Sequence, residues 1–159
     1  VKHSFYTNYF YIFGIMDHNE LLIPLRKIMR SVHLDSKKLL KECGLTTPQL
    51  LALKFLQTAT NYQTTQLELR KHLALNSSTV TGIVSRLIKK GLIAKLPARE
   101  DKRATQLCLT ANGLKAIKEA PPQTQDKLAK GIEQLTENEK VQIKSSLLKL
   151  TEILSNNLD

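Results

Sequence analysis

The stretch that decides the fold is Asn76-Ser77-Ser78-Thr79-Val80-Thr81-Gly82-Ile83-Val84-Ser85-Arg86-Leu87-Ile88-Lys89-Lys90-Gly91. Further on come the run Pro97-Ala98-Arg99-Glu100-Asp101-Lys102-Arg103-Ala104 and the segment Leu109-Thr110-Ala111-Asn112-Gly113. Asn76 is a helix N-cap, since its side-chain oxygen can accept one of the amides left orphaned at a helix start. Val80, Ile83, Val84, Leu87 and Ile88 then share one helical stripe. The positions left over, Ser77, Ser78, Thr81, Gly82, Ser85 and Lys89, face away from it, and their mostly short side chains let the helix approach a groove closely. Residues 92–96 and 105–109 are short strand candidates joined by the charged hairpin 97–104. Helix, glycine, strand, charged hairpin and strand, in that order, predict a winged helix-turn-helix. The fold class is mainly α with a small β-wing.

Outward from this segment the helical period continues on both sides. Leu21, Leu22, Leu25, Ile28, Met29, Val32, Leu39, Leu40 and Cys43 recur at helical spacing, which predicts one long helix over 19–43 closed by Gly44. Pro24 is tolerated in its first turns or marks a start a few residues later. Thr47-Pro48 reads as an N-cap with proline at N1, and 61–64 as a turn. Thr65-x-x-Glu68 is a capping box that opens a short helix carrying Leu69 and Leu73. After Thr110 a helix with Leu114 and Ile117 must stop near Ala120, because Pro121-Pro122 removes amide donors and clashes with the preceding turn. Thr136-x-x-Glu139 caps a last helix in which Ile143, Leu147, Leu150 and Leu154 step by four, three and four. That seam wants a partner helix.

The expected organisation is an aromatic-rich extension over 1–16 and a single domain over 17–159. Within the domain the reading head spans 46–112, and long N- and C-terminal dimerisation helices span 19–43 and 113–155. Leu25, Ile28, Ile143, Leu147, Leu150 and Leu154 are the expected dimer contacts.

The formal charge is +10 over 159 residues, and its distribution says more than its size. Residues 64–115 hold ten Lys/Arg against three Asp/Glu, whereas 1–63 hold eight against four and 116–159 six against seven. The excess sits on the decisive stretch. A basic stripe favours a polyanion, because each neutralised phosphate releases condensed counterions. No apolar run approaches the roughly 18 residues of a membrane span, so no membrane partner is expected. Near the N-terminus Ser4, Thr7 and Asn8 interrupt the aromatics Phe5, Tyr6, Tyr9, Phe10, Tyr11 and Phe13, which argues against a secretory segment. Cys43 and Cys108 lack metal-type or disulfide-framework spacing, and a cytoplasmic location is expected. His3, His18, His33 and His72 form no ligand pair, and no nucleophile elbow, phosphate loop or zincin helix is present. Neither an enzyme, nor a metal, nor a cofactor is expected.

The residues from Leu75 to Ile93, with Asp101-x-Arg103 and Leu109-Thr110-x-x-Gly113, resemble the MarR family of bacterial transcription regulators. The similarity extends over about Leu45 to Leu154. It implies a homodimer on double-stranded DNA carrying a palindromic operator, with recognition helices in successive major grooves. It further implies that Arg103 reaches the minor groove and that Asp101 holds it in place. Leu96 stands where a second basic residue is frequent in the family, with Arg99 as the alternative source. The expected DNA-facing set is Thr65, Gln66, Ser77, Ser78, Thr79, Thr81, Gly82, Ser85, Arg86, Lys89, Arg99, Asp101, Lys102 and Arg103. The resemblance implies a repressor released by a small aromatic acid or phenolic effector. Two alternatives stand beside it: a thiol-based redox sensor using Cys43 or Cys108, and a winged-helix protein-interaction module.

Overall fold

The computed structural model describes residues 17–96 and 106–156. The aromatic N-terminal segment and the hairpin residues Arg99, Asp101, Lys102 and Arg103 lie outside the described residues. Two compact units are present, one up to Pro121 and one from Pro122, and the expected 17–159 domain spans both.

The first unit opens with α1, His18–Cys43, capped by Asp17, whose carboxylate accepts from Asn19 N. The helix passes through Pro24 without a break. It ends at Gly44, which takes the left-handed conformation (φ 62°) that a Cβ would disfavour. Helix α2, Thr47–Thr58, starts one residue earlier than the sequence reading placed it. Its N-cap is Thr46, whose amide donates to Gln49 Oε1 at 3.0 Å, so Thr47 occupies N1. A 3-10 turn, Thr60–Tyr62, follows, with Asn61 and Tyr62 both at positive φ. The segment expected to be only a turn then continues into a strand, β1, Gln63–Thr65. Helix α3, Gln66–Leu73, and helix α4, Ser77–Lys89, form the helix-turn-helix. Strands β2, Ile93–Leu96, and β3, Gln106–Leu109, complete an antiparallel sheet of order β1-β3-β2. The registers pair Gln63 with Cys108 and Ile93 with Leu109. Helix α5, Ala111–Glu119, ends at Ala120, as the two following prolines require, and packs on α2.

The core of this unit is Leu39 of α1, Leu45, Leu50, Leu53 and Leu56 around α2, Leu69 of α3, Val80, Ile83, Val84 and Leu87 of α4, and Ile93, Leu107 and Leu109 of the sheet. The four α4 residues belong to the five-residue stripe read from the sequence, and the fifth, Ile88, is half-buried against this core. Leu107 and Leu109 are buried, so the alternation of a strand turns Cys108 to the other face, where it is half-buried.

In the second unit, α6, Thr124–Glu133, precedes α7, Glu137–Asn156. The Thr136/Glu139 box forms as expected: Thr136 N and Oγ1 donate to Glu139 Oε2 at 2.8 and 2.7 Å, and Glu139 N returns a bond to Thr136 Oγ1 at 3.3 Å. Helix α6 was not anticipated. Its apolar signal amounts to Leu128 and Ile132, one turn apart.

Candidate nucleic-acid interface

Local chemistry places α4 with its polar face outward. Asn76 Oδ1 accepts from Thr79 N at 2.8 Å and from Ser78 Oγ at 2.9 Å. The amides of Ser77 and Ser78, at the first two helical positions, remain outside the helical ladder. Orphan amides and the helix dipole together favour an anion there. Ser77, Ser78, Thr79, Thr81, Ser85, Arg86 and Lys89 are all exposed, and Gly82 is half-exposed. The helix closes with a Schellman arrangement, Gly91 N donating to Ile88 O at 2.8 Å and Leu92 N to Leu87 O at 3.0 Å, with Gly91 at φ 67°.

Two of the expected hydroxyls are already engaged. Thr81 Oγ1 donates to Ser77 O at 2.9 Å and accepts from Gln66 Nε2 at 2.7 Å. Ser78 has given its hydrogen to Asn76. Thr65 is committed as well, donating to Glu68 Oε2 at 3.0 Å and accepting from Glu68 N at 3.2 Å. Glu68 Oε2 also accepts from Thr65 N and Thr64 Oγ1, each at 2.9 Å. These bonds, the backbone one foremost, hold the Glu68 carboxyl below the usual glutamate range, against a smaller opposing effect of burial. The capping box thus fixes the start of α3, and the Gln66 to Thr81 bond ties that start to the exposed face of α4.

The wing strands are joined to the recognition helix by a second cluster. Thr110 Oγ1 donates to Gly91 O at 2.7 Å, Thr110 N donates to Leu92 O at 3.1 Å, and Gly113 N donates to Thr110 Oγ1 at 3.1 Å. A Cβ on Gly113 would collide with the Leu92 carbonyl and with Leu109 Cδ1. This gives Leu109-Thr110-x-x-Gly113 a physical meaning: a threonine that caps α5 and grips the exit of α4, and a glycine that lets α5 lie on it.

Sequence reasoning missed several basic and polar neighbours. Arg70 lines a cleft of about 230 Å³ with Gln66, Leu67, Ser77 and Val80, between α3 and α4. Lys90 and Lys95 are exposed at the end of α4 and on β2. Their signal was the local charge excess, but only the packing of α3 on α4 shows which of them adjoin the recognition face. Of the expected dimer residues, Leu25 is half-buried in α1. Ile28 of α1 and Ile143, Leu147, Leu150 and Leu154 of α7 are exposed. Exposed Leu21, Leu22 and Met29 of α1 and Val141, Leu148 and Ile153 of α7 had not been included. Among the described residues no cluster of three His, Cys, Asp or Glu side chains is placed to hold a metal, and no helix is long and apolar enough to cross a membrane.

Residues 44–104 match the model of the MarR family. A transcriptional repressor of Pseudomonas putida, IacR, is 32% identical over 101 residues, 64% of this chain and 59% of that protein, so the match spans less than two thirds of the relative. The structure of the S. aureus MepR–DNA complex superposes with a TM-score of 0.63 at 24% identity, covering 88% of this chain and 99% of that one. Bordetella bronchiseptica BpsR, whose DNA binding is described as regulated by 6-hydroxynicotinic acid, has a TM-score of 0.58 at 22% identity over 83% of this chain and 98% of its own. At these identities the two structures share the fold. The matched segment covers the helix-turn-helix and reaches the wing, and over it the chain is similar to the MarR family.

Proposed function

We propose that the protein is a sequence-specific regulator of transcription that binds double-stranded DNA as a homodimer. The observation that carries this reading is the α4 surface: an apolar stripe fully used by the core, a polar face of short side chains, two orphan amides at its start and Arg86 and Lys89 towards its end. Such a face approaches a groove closely and draws on phosphate contacts for register. The DNA-facing set proposed is Thr65, Gln66, Ser77, Ser78, Thr79, Thr81, Gly82, Ser85, Arg86 and Lys89, with Arg99, Asp101, Lys102 and Arg103 on the hairpin. Because the Thr65 hydroxyl and amide are both used in its cap, this residue takes part through the pose it gives Gln66.

Repression relieved by a small aromatic acid or phenol is the finer part of the proposal. It is supported by the repressor name of the P. putida relative and by the 6-hydroxynicotinic acid of BpsR. The exposed apolar faces of α1 and α7 support a dimer, in which two recognition helices address half-sites about 34–36 Å apart. Fluorescence anisotropy with duplexes from the DNA flanking the gene, repeated across salt concentrations, tests the reading. Tight binding with a steep salt dependence is expected, and aromatic carboxylates are expected to weaken it. Binding indifferent to salt would favour a protein-interaction module. Release by oxidant but not by aromatic acids would favour a thiol switch.

A further inference from the structure

The C-terminal end of the recognition helix is held to the end of α1 by one side chain. Lys90 Nζ donates to Gly44 O at 2.5 Å across 46 residues of sequence. Gly44 is the C-cap of α1, so the ammonium sits where the carbonyl ends of a 26-residue helix concentrate partial negative charge. The next residues of the chain are fixed too, because Gly91 O and Leu92 O accept from Thr110. The exit of α4 therefore has two anchors, one into the wing and α5, the other through Lys90 into the long helix.

We infer that Lys90 is a positioning residue for DNA binding, which sets the pose of α4 against α1, and is not a phosphate contact like its neighbour Lys89. The inference rests on the proposed DNA-binding function. Its basis is that α1 carries an exposed apolar face from Leu21 to Met29 while its other end grips α4. If α1 helps join two copies, the Lys90 latch lies on the path between the dimer contact and the recognition helix. The separation of the two recognition helices then depends on it. An ammonium held on a carbonyl of its own protein keeps its charge but neutralises no phosphate when DNA arrives, which separates this role from a phosphate contact.

The test compares Lys90→Met, which keeps the aliphatic stem, with Lys89→Met, using a duplex selected by the wild-type protein from a random-sequence library. Lys90→Met is expected to weaken binding about three- to tenfold, the effect of one hydrogen bond, with the slope of log affinity against log salt unchanged. Lys89→Met is expected to lower that slope by about one. Respacing the half-sites by one base pair should penalise Lys90→Met less than wild type. Without DNA, hydrogen exchange of the 41–44 amides at the end of α1 should rise in Lys90→Met. A salt slope that falls as it does in Lys89→Met, or unaltered exchange at 41–44, overturns the inference. If the wild-type protein selects no duplex, the proposed function fails, and the exchange measurement still decides whether the latch exists.

Discussion

Gln66 and Thr81, fifteen residues apart, meet on the exposed side of the helix-turn-helix, where Gln66 Nε2 donates to Thr81 Oγ1 at 2.7 Å. Since the Thr81 hydrogen is given to Ser77 O, the hydroxyl's donor and one of its two lone pairs are used inside the protein. In the proposed DNA complex Thr81 would therefore offer its methyl group more readily than its hydroxyl, and Gln66 helps to set how α3 and α4 are angled. A double-mutant cycle of Gln66→Ala and Thr81→Val should return a coupling of about 0.5–1 kcal/mol in urea unfolding, at the lower end for a hydrogen bond because both groups are exposed. Additive single-mutant effects would show that the bond does not persist in solution.

The depressed Glu68 carboxyl makes a prediction for acid. A group whose folded pKa lies below its unfolded value contributes stability above the unfolded value, about 4.3 for glutamate, and loses it as pH falls through the folded value. Asp17 and Glu139 are depressed for the same reason: hydrogen bonds from Asn19 to the first and from Thr136 to the second. Denaturant unfolding should therefore show falling stability below about pH 4.3, and Glu68→Gln should make that fall shallower. A Glu68→Gln protein with the wild-type slope would mean that the box does not hold the carboxylate.

Gly113→Ala should destabilise the protein by about 1–3 kcal/mol, the usual cost of overpacking, because the new methyl meets a carbonyl oxygen that is fixed by Thr110. Gly82→Ala is the opposite control. Nothing lies within 4 Å of a Cβ there, and Gly82 sits inside α4, so folding stability should rise by about 0.5–1 kcal/mol. Thermal unfolding of the two variants reads both signs, and a neutral Gly113→Ala would remove the close approach of α5 to Leu92.

What was legible in the sequence was local. Asn76 with Thr79, Thr65 with Glu68, Thr110 with Gly113 and Thr136 with Glu139 each close within four residues, so their chemistry can be read without knowing the fold. Strand β1 escaped because Gln63, Thr64 and Thr65 carry no apolar alternation, and its pairing with Cys108, Leu107 and Gln106 comes from more than 40 residues away. The 3-10 turn before it has a non-glycine pair, Asn61 and Tyr62, at positive φ, which no turn signature predicts. Thr46 and Thr47 are equivalent as caps on paper, and Gln49 reaching the Thr46 amide selects the first. At the candidate interface the exposed face of α4 was readable from its period. The bonds Gln66 to Thr81 and Lys90 to Gly44 were not, since they exist only once α3, α4 and α1 are packed.

Arg103 belongs to the proposed interface on the strength of the family resemblance of Asp101-x-Arg103. A guanidinium is drawn to a narrow minor groove, where negative potential is concentrated. Arg103→Ala should weaken operator binding by about 1–3 kcal/mol and reduce the salt slope by about one. Anisotropy titrations at several salt concentrations measure both, and an unchanged affinity would remove the wing from DNA recognition.

Helix α7 gives the sharpest test of assembly. Among its described side chains, 137–155, none is buried, while Val141, Ile143, Leu147, Leu148, Leu150, Ile153 and Leu154 are 40–67% exposed. An apolar face of that extent is normally covered by another surface, and a second copy of the chain is the occupant that the dimer proposal requires. Replacing Leu147 and Leu150 by glutamate places two carboxylates on that face, and each would have to shed its water to be covered again. The core of the first unit, from Leu39 to Leu109, contains neither residue, so its reading head should stay folded. Sedimentation equilibrium should find the wild-type protein dimeric and the double variant monomeric. Operator binding should weaken far more than the loss of any one DNA contact explains, because the second reading head is no longer held near its half-site. A double variant that sediments as a dimer would move the interface away from α7, and a monomeric wild-type protein would end the dimer proposal.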